Sequence, residues 1–189
     1  SFLATTMSYE LEHTKQVLQL LATGGFGGAN LLGVHLEGPF LNREYVGAQN
    51  PKYLQVPTVT NFNKFNQNKL IKLVTYAPEL DHNLALTKYL VKEKIIPSVG
   101  HSGASYAQVN QAIACGLNNF THFQNGCSGH NHRDPGVVTA GLSTKEAKLE
   151  LIVDGIHLHP DTVKSVYQIK GDANIILITD SMRAKGCAD

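Results

Sequence analysis

The chain has 189 residues, 42% hydrophobic and 16% charged, a balance that supports one sizeable core and excludes a disordered polymer. A net charge of +1 gives no electrostatic case for nucleic acid or a membrane surface, and no apolar run approaches the roughly 20 residues that a bilayer-spanning helix needs. Cys115, Cys127 and Cys187 make neither a CxxC pair nor an even disulfide framework, so they are expected to be small packing residues in a reducing cytosol.

In chain order, residues 2–5 read as a strand, and residues 9–23 repeat apolar side chains at helical spacing until Gly24-Gly25 ends the pattern. The run Gly24-Gly25-Phe26-Gly27-Gly28 lacks the Lys-Ser/Thr of a phosphate loop and reads as a flexible turn into the next strand. That strand, Leu31–Glu37, is an apolar run broken by Gly38-Pro39. Five more follow at residues 72–76, 95–100, 119–123, 149–153 and 175–179. Helices at 84–94, 106–115 and 160–169 fill three of the gaps, with Ser105 and Asp161 near helix starts as caps would be. Strands alternating with helices predict a parallel sheet wrapped by helices. Seven strands joined by right-handed crossovers are one short of a closed (β/α)8 barrel, so residues 1–189 are expected to form one incomplete TIM-type barrel with two open edges.

Parallel barrels collect functional groups at the C-terminal tips of their strands. Here Glu37 ends LLGVHLE, His101 follows IIPSVG and His122 follows NFT. Each alone has an ordinary explanation as a solvated strand end or a packed histidine. Together on one face, one carboxylate and two imidazoles form a catalytic metal set with a position left for water. Zinc and Fe(II) both accept such donors. His35, two residues before Glu37, shares its strand face and is expected inside the barrel rather than on the metal. Asp180 closes the aliphatic strand Ile175-Ile176-Leu177-Ile178-Thr179 and should face the barrel mouth, where a carboxylate can move a proton between water and a leaving amine; its plain alternative is a turn or a cap. His130 and His132 lie in a polar loop and are expected to be solvated.

Seven segments carry a resemblance: His35-Leu36-Glu37-Gly38-Pro39-Phe40, Gly47-Ala48-Gln49, Gly100-His101-Ser102, Thr121-His122-Phe123-Gln124-Asn125, Arg133-Asp134-Pro135-Gly136, Asp154-Gly155-Ile156-His157 and Thr179-Asp180-Ser181. In this order, and over nearly the whole chain, the sequence resembles the N-acetylglucosamine-6-phosphate deacetylase family of metal-dependent amidohydrolases. The resemblance implies hydrolysis of N-acetylglucosamine 6-phosphate to glucosamine 6-phosphate and acetate in cytoplasmic amino-sugar catabolism. It implies a divalent metal ion on Glu37, His101 and His122, and Asp180 as general acid/base. Ala48, Gln49, Asn125, Gly126, Arg133 and His157 go to the substrate, with Arg133 and His157 on its phosphate.

The resemblance also implies a homodimer. The family's first strand with its His-X-His pair, its small β-sandwich and its last helix are missing, as in an internal segment of a longer enzyme. Gln49 departs from the pattern, standing where many relatives carry a His that steadies the scissile carbonyl. A neutral amide donates there without carrying charge, which leaves one or two metal ions open. Two rivals remain: another metal-dependent amidohydrolase, against which Glu37 speaks, and a non-catalytic sugar-phosphate-binding protein, against which the set of Glu37, His101, His122 and Asp180 speaks.

Overall fold

A computed structural model describes residues 1–24 and 27–182; Gly25, Phe26 and Cys187 lie outside the described residues. Seven strands form one sheet in chain order: β1 (Phe2–Thr6), β2 (Leu31–Glu37), β3 (Ile71–Tyr76), β4 (Ile96–Val99), β5 (Asn119–Phe120), β6 (Lys148–Ile152) and β7 (Ile175–Ile178). Every neighbouring pair is parallel. Sequential parallel order is the winding of a TIM-type barrel, in which each crossover returns the chain to the adjacent place in the sheet.

Side-chain alternation on β2 sets up both faces of that sheet. Val34 and Leu36 point one way into apolar packing, while His35 and Glu37 point the other way, and all four are buried. Helices α1 (Leu11–Ala22), α2 (Val59–Phe65), α3 (Ala85–Lys92), α4 (Tyr106–Ala114), α5 (Val137–Ser143) and α6 (Pro160–Lys170) supply the covering layer. Their apolar stripes share one core with the strands, through Leu18, Phe62, Leu86, Leu90, Val109 and Val166.

The helices expected from apolar spacing are present as α1, α3, α4 and α6. Ser105 caps α4 as expected, in a reciprocal box with Gln108. The cap of α6 is a correction: His159 holds that place, its Nδ1 accepting from the Asp161 N–H at 3.2 Å, and Asp161 instead lies in the first turn, where its charge favours the helix N-terminus. α2 and α5 were not expected. VTNFNKF and VVTAGLS are rich in β-branched, Asn and Gly residues of low helix propensity. Burial decides instead: Phe62 and Phe65 anchor α2, and Gly141 of α5 lies so close to Phe123 that an added Cβ would meet Phe123 Cε2 at 2.5 Å. The Lys170 ammonium of α6 donates to the carbonyls of Gly141, Thr144 and Lys145, satisfying the end of α5. β5 is shorter than expected. It stops at Phe120 because the chain turns at residues 121–126, carrying His122 out of the strand.

Candidate active site

Each candidate catalytic or metal-binding group stands where the chain leaves the sheet. Glu37 ends β2, while His101, His122 and Asp180 follow β4, β5 and β7 with φ of 49°, 32° and 48°. A side chain in this left-handed region costs on the order of 1 kcal/mol or more and persists where the surroundings impose it, which is characteristic of functional sites. Gly100 lets the tip of β4 sit close enough for this turn: a Cβ there would lie 2.7 Å from Thr75 Cγ2 and 3.1 Å from Thr121 Cβ.

The turns bring three donors together. His101 Nε2 lies 2.9 Å from Glu37 Oε1, His122 Nε2 lies 3.1 Å from the same oxygen, and the two nitrogens are 3.0 Å apart. All three side chains are buried. His101 Nδ1 donates to the Tyr45 carbonyl at 2.8 Å; a carbonyl only accepts, so in the neutral ring the proton is on Nδ1 and Nε2 offers a lone pair. That lone pair faces a carboxylate oxygen and a second imidazole nitrogen, an arrangement of acceptors that one proton does not satisfy. His122 Nδ1 is buried without a hydrogen-bond partner among the described residues. A triangle with edges near 3.0 Å has a circumradius of about 1.7 Å, so one ion about 2.1 Å from every corner fits, and the donor set suits zinc or Fe(II).

Electrostatics favour a cation at the same point. Burial pushes the Glu37 carboxyl upward, but when the two rings carry the extra proton in place of a metal ion, their hydrogen bonds and charges outweigh it and hold the group well below the usual carboxylate range. Burial likewise lowers His122, yet its hydrogen bond to Glu37, the Glu37 charge and the charge of Asp180 carry it above the ordinary imidazole value.

His35 stays out of the triangle. Its Nε2 lies 2.7 Å from Thr75 Oγ1 and its Nδ1 lies 3.3 Å from Thr5 Oγ1, and burial lowers its pKa to about 4, so the ring is neutral. It belongs to a buried polar belt that continues from Thr75 to Thr121 at 2.6 Å, from Thr121 to Ser98 at 2.6 Å, and through Asn119 to Glu150 at 2.8 Å. Burial raises the Glu150 carboxyl, opposed by the Asn119 hydrogen bond. The belt crosses from β1 to β6 and includes Thr121, the residue before His122. Thr75 is also in register with Glu37.

The remaining expected residues lie around this centre at different depths. Gln49 is buried, and its Oε1 accepts from the Ser8 N–H at 2.8 Å, while Ala48 is exposed. Asn125 donates to the His122 carbonyl at 3.1 Å, and a Cβ on Gly126 would lie 3.2 Å from His101 Nδ1. Arg133 is exposed in a turn whose backbone N–H groups at 133 and 134 donate to Asn131 Oδ1. His157 is exposed and donates through Nδ1 to Asp154 Oδ2 at 2.7 Å; Asp154 is lowered to about 2 by the backbone N–H groups of His157 and Ile156, then by that ring. Asp180 is exposed beyond β7 and is within electrostatic reach of His122. A groove of about 510 Å³ beside it runs along β6 and β7 and is lined by Asp154, Leu177, Thr179 and Ser181.

His130 is exposed and bonds Thr139 at 3.0 Å, and His132 is also exposed. Cys115 and Cys127 are free thiols, and burial pushes Cys127 up to about 12, so Cys127 is not a nucleophile by environment. Sequence reading missed Tyr45, Thr75 and Thr121. The two threonines had a signal, being polar positions at the ends of otherwise apolar strands. Tyr45 acts through its backbone carbonyl, which leaves no mark in a sequence.

No family model matches the chain. Over 197 residues covering 100% of the chain, it is 42% identical to an N-acetylglucosamine-6-phosphate deacetylase of Bacillus subtilis, 50% of which it covers. A deacetylase structure of the same description from Thermotoga maritima matches with a TM-score of 0.89 at 38% identity, over 100% of this chain and 52% of that one. A substituted N-acetyl-D-glucosamine-6-phosphate deacetylase from Mycobacterium smegmatis, solved in complex with N-acetyl-D-glucosamine-6-phosphate, matches with a TM-score of 0.92 at 31% identity, over 99% of this chain and 49% of that one. The chain spans about half the length of the curated relatives it matches.

Proposed function

The chain belongs to the N-acetylglucosamine-6-phosphate deacetylase family, and on that premise we propose that the whole protein hydrolyses N-acetylglucosamine 6-phosphate to glucosamine 6-phosphate and acetate, residues 1–189 forming part of one catalytic barrel. The observation that carries this reading is the buried triangle of Glu37, His101 and His122, a carboxylate oxygen and two imidazole nitrogens converging within bonding reach of one cation. The relative bound to the sugar phosphate supports the substrate class.

In this reading Glu37 Oε1, His101 Nε2 and His122 Nε2 hold a divalent ion, zinc or Fe(II), alone or beside a second one. When bound, such an ion acidifies a water molecule and polarises an amide carbonyl. Asp180 takes a proton from the attacking water and passes it to the amine nitrogen as the C–N bond breaks, so water and amide become acetate and free amine and the carboxylate returns to its starting state. Gln49, its Oε1 tied to Ser8, turns its amide N–H groups to the carbonyl oxygen. Asn125, Gly126 and Ala48 line the sugar. Arg133 and His157 take the phosphate, Asp154 accepting the His157 Nδ1–H so that the ring, when doubly protonated, donates to the phosphate through Nε2. The protein acts as a homodimer in the cytoplasm; the free thiols and the lack, among the described residues, of a helix long and apolar enough to cross a membrane are consistent with that setting.

The test is to incubate the whole protein with N-acetylglucosamine 6-phosphate and quantify acetate and primary amine together. One acetate per amine is expected, abolished by a metal chelator and restored by zinc or Fe(II). Tight binding of the sugar phosphate with no acetate released in any metal-loaded form would select the non-catalytic binding protein instead.

A further inference from the structure

We propose that Glu79 is a positioning residue for this centre: its carboxylate clasps three strand-end loops together and thereby holds His101 facing Glu37 and His122. The proposal rests on reading those three residues as a metal site. Glu79 stands in the turn just after β3. Its Oε1 accepts from Asn42 Nδ2 at 2.8 Å and from the Gly103 N–H at 2.7 Å, and its Oε2 accepts from Ser102 Oγ at 2.7 Å. The donors belong to the loops after β2 and β4, so one carboxylate joins the exits of three consecutive strands.

His101 lies inside the circuit this clasp closes. The Asn42 N–H donates to the His101 carbonyl at 2.9 Å, and the Tyr45 N–H donates to the Asn42 carbonyl at 3.1 Å. The Tyr45 carbonyl then accepts from His101 Nδ1 at 2.8 Å. Backbone and ring of His101 are therefore both held by the turn that Glu79 anchors through the Asn42 side chain, and the next two residues, Ser102 and Gly103, are held by Glu79 directly. The packing leaves no slack: a Cβ on Gly103 would lie 2.6 Å from Tyr45 Cε2 and 3.2 Å from Asn42 Nδ2. The Ser102 N–H further donates to the Gly126 carbonyl at 3.2 Å, so the clasp reaches the loop that carries Asn125 and Gly126. Groups that orient a ligating histidine from outside set the metal affinity, typically by tenfold to a hundredfold.

Asp81, two residues on, gives a matched control. It also accepts three hydrogen bonds, from the N–H groups of Leu86 and Thr87 and from Thr87 Oγ1, but all of them serve the start of α3. The experiment measures zinc-ion affinity of the metal-free whole protein by competition with a chromophoric chelator, alongside thermal unfolding. Glu79→Ala is expected to weaken zinc about tenfold to a hundredfold while still folded. Glu79→Gln, whose amide oxygen keeps the two Oε1 bonds, should recover most of the affinity. Asp81→Asn should lower the thermal midpoint and leave zinc affinity as in the parent. A folded Glu79→Ala protein with parental affinity would overturn the proposal and reduce Glu79 to a loop staple. Should Glu79→Ala not fold, Ser102→Ala, which removes one clasp bond, decides: weaker zinc supports the clasp and parental affinity overturns it. A parent that binds no zinc would overturn the metal reading itself, a result separate from either variant outcome.

Discussion

The β2–β5 side of the barrel mouth and the β6–β7 side hold their candidate groups by different means. On the first side, Glu37, His101 and His122 are buried, and their neighbours are tied to other strands and loops: His101 to the Tyr45 carbonyl 56 residues away, and Thr121 to both Thr75 and Ser98. On the second side Asp154, His157 and Asp180 are exposed, and the bonds of Asp154 end within its own loop, at residues 156 and 157. Cross-loop bonds fix one strand end against another, which an ion with three donors requires. Local bonds orient a side chain within its loop and leave it open to solvent, which suits groups that grip a ligand or pass a proton. Variants on the two sides should therefore fail differently, the first in metal affinity and stability, the second in turnover or substrate affinity alone.

The sharpest separation comes from Asp180→Asn. It keeps the side-chain shape and removes proton transfer, so kcat is expected to fall by about 10² to 10⁴ while zinc content, measured by elemental analysis, stays at the parental level. A kcat near that of the parent would remove Asp180 from the proton path. Next in size is Arg133→Ala, which follows β5 but is exposed in a locally bonded turn and is therefore expected to fail as the second side does. Loss of a forked, charge-assisted contact of about 1.5 to 3 kcal/mol should lower kcat/KM roughly tenfold to a hundredfold for N-acetylglucosamine 6-phosphate and spare plain N-acetylglucosamine. Equal losses on both substrates would deny Arg133 the phosphate.

On the buried side, Thr121→Val takes one partner from the Thr75 hydroxyl and one from the Ser98 hydroxyl. Unfolding in urea should show a loss of about 1 to 3 kcal/mol, accompanied by weaker zinc binding because His122 is the next residue. A variant with unchanged stability and altered turnover would erase the distinction between the two sides.

The strands and the convergence of Glu37, His101 and His122 were legible in the sequence because both follow from short apolar runs: LLGVHLE and IIPSVG declare a strand, and the polar residue at the exit declares itself. α2 and α5 were not, since their residues disfavour helix and only burial of Phe62, Phe65, Val137 and Ala140 in the finished core makes them helical. The early end of β5 was hidden for a related reason. Thr121 and His122 continue the strand pattern, but a left-handed residue at 122 breaks it, in a turn that places the His122 ring against Glu37 and His101. Glu79 stood in view as an acid just past a strand tip, yet its proposed role depends on Asn42, Ser102 and Gly103, brought to it from two other loops by the β2–β3 and β3–β4 crossovers. Asp161 misled because an acid near a helix start fits a cap as well as a first turn.

The proposed function requires that one cation join Glu37, His101 and His122. Anomalous diffraction from crystals of the whole protein, collected above and below the absorption edge of the bound metal, tests it directly. An edge-specific peak is expected about 2.0 to 2.2 Å from Glu37 Oε1, His101 Nε2 and His122 Nε2 together. A metal peak elsewhere, with those three atoms still in contact with one another as in the triangle described here, would contradict it.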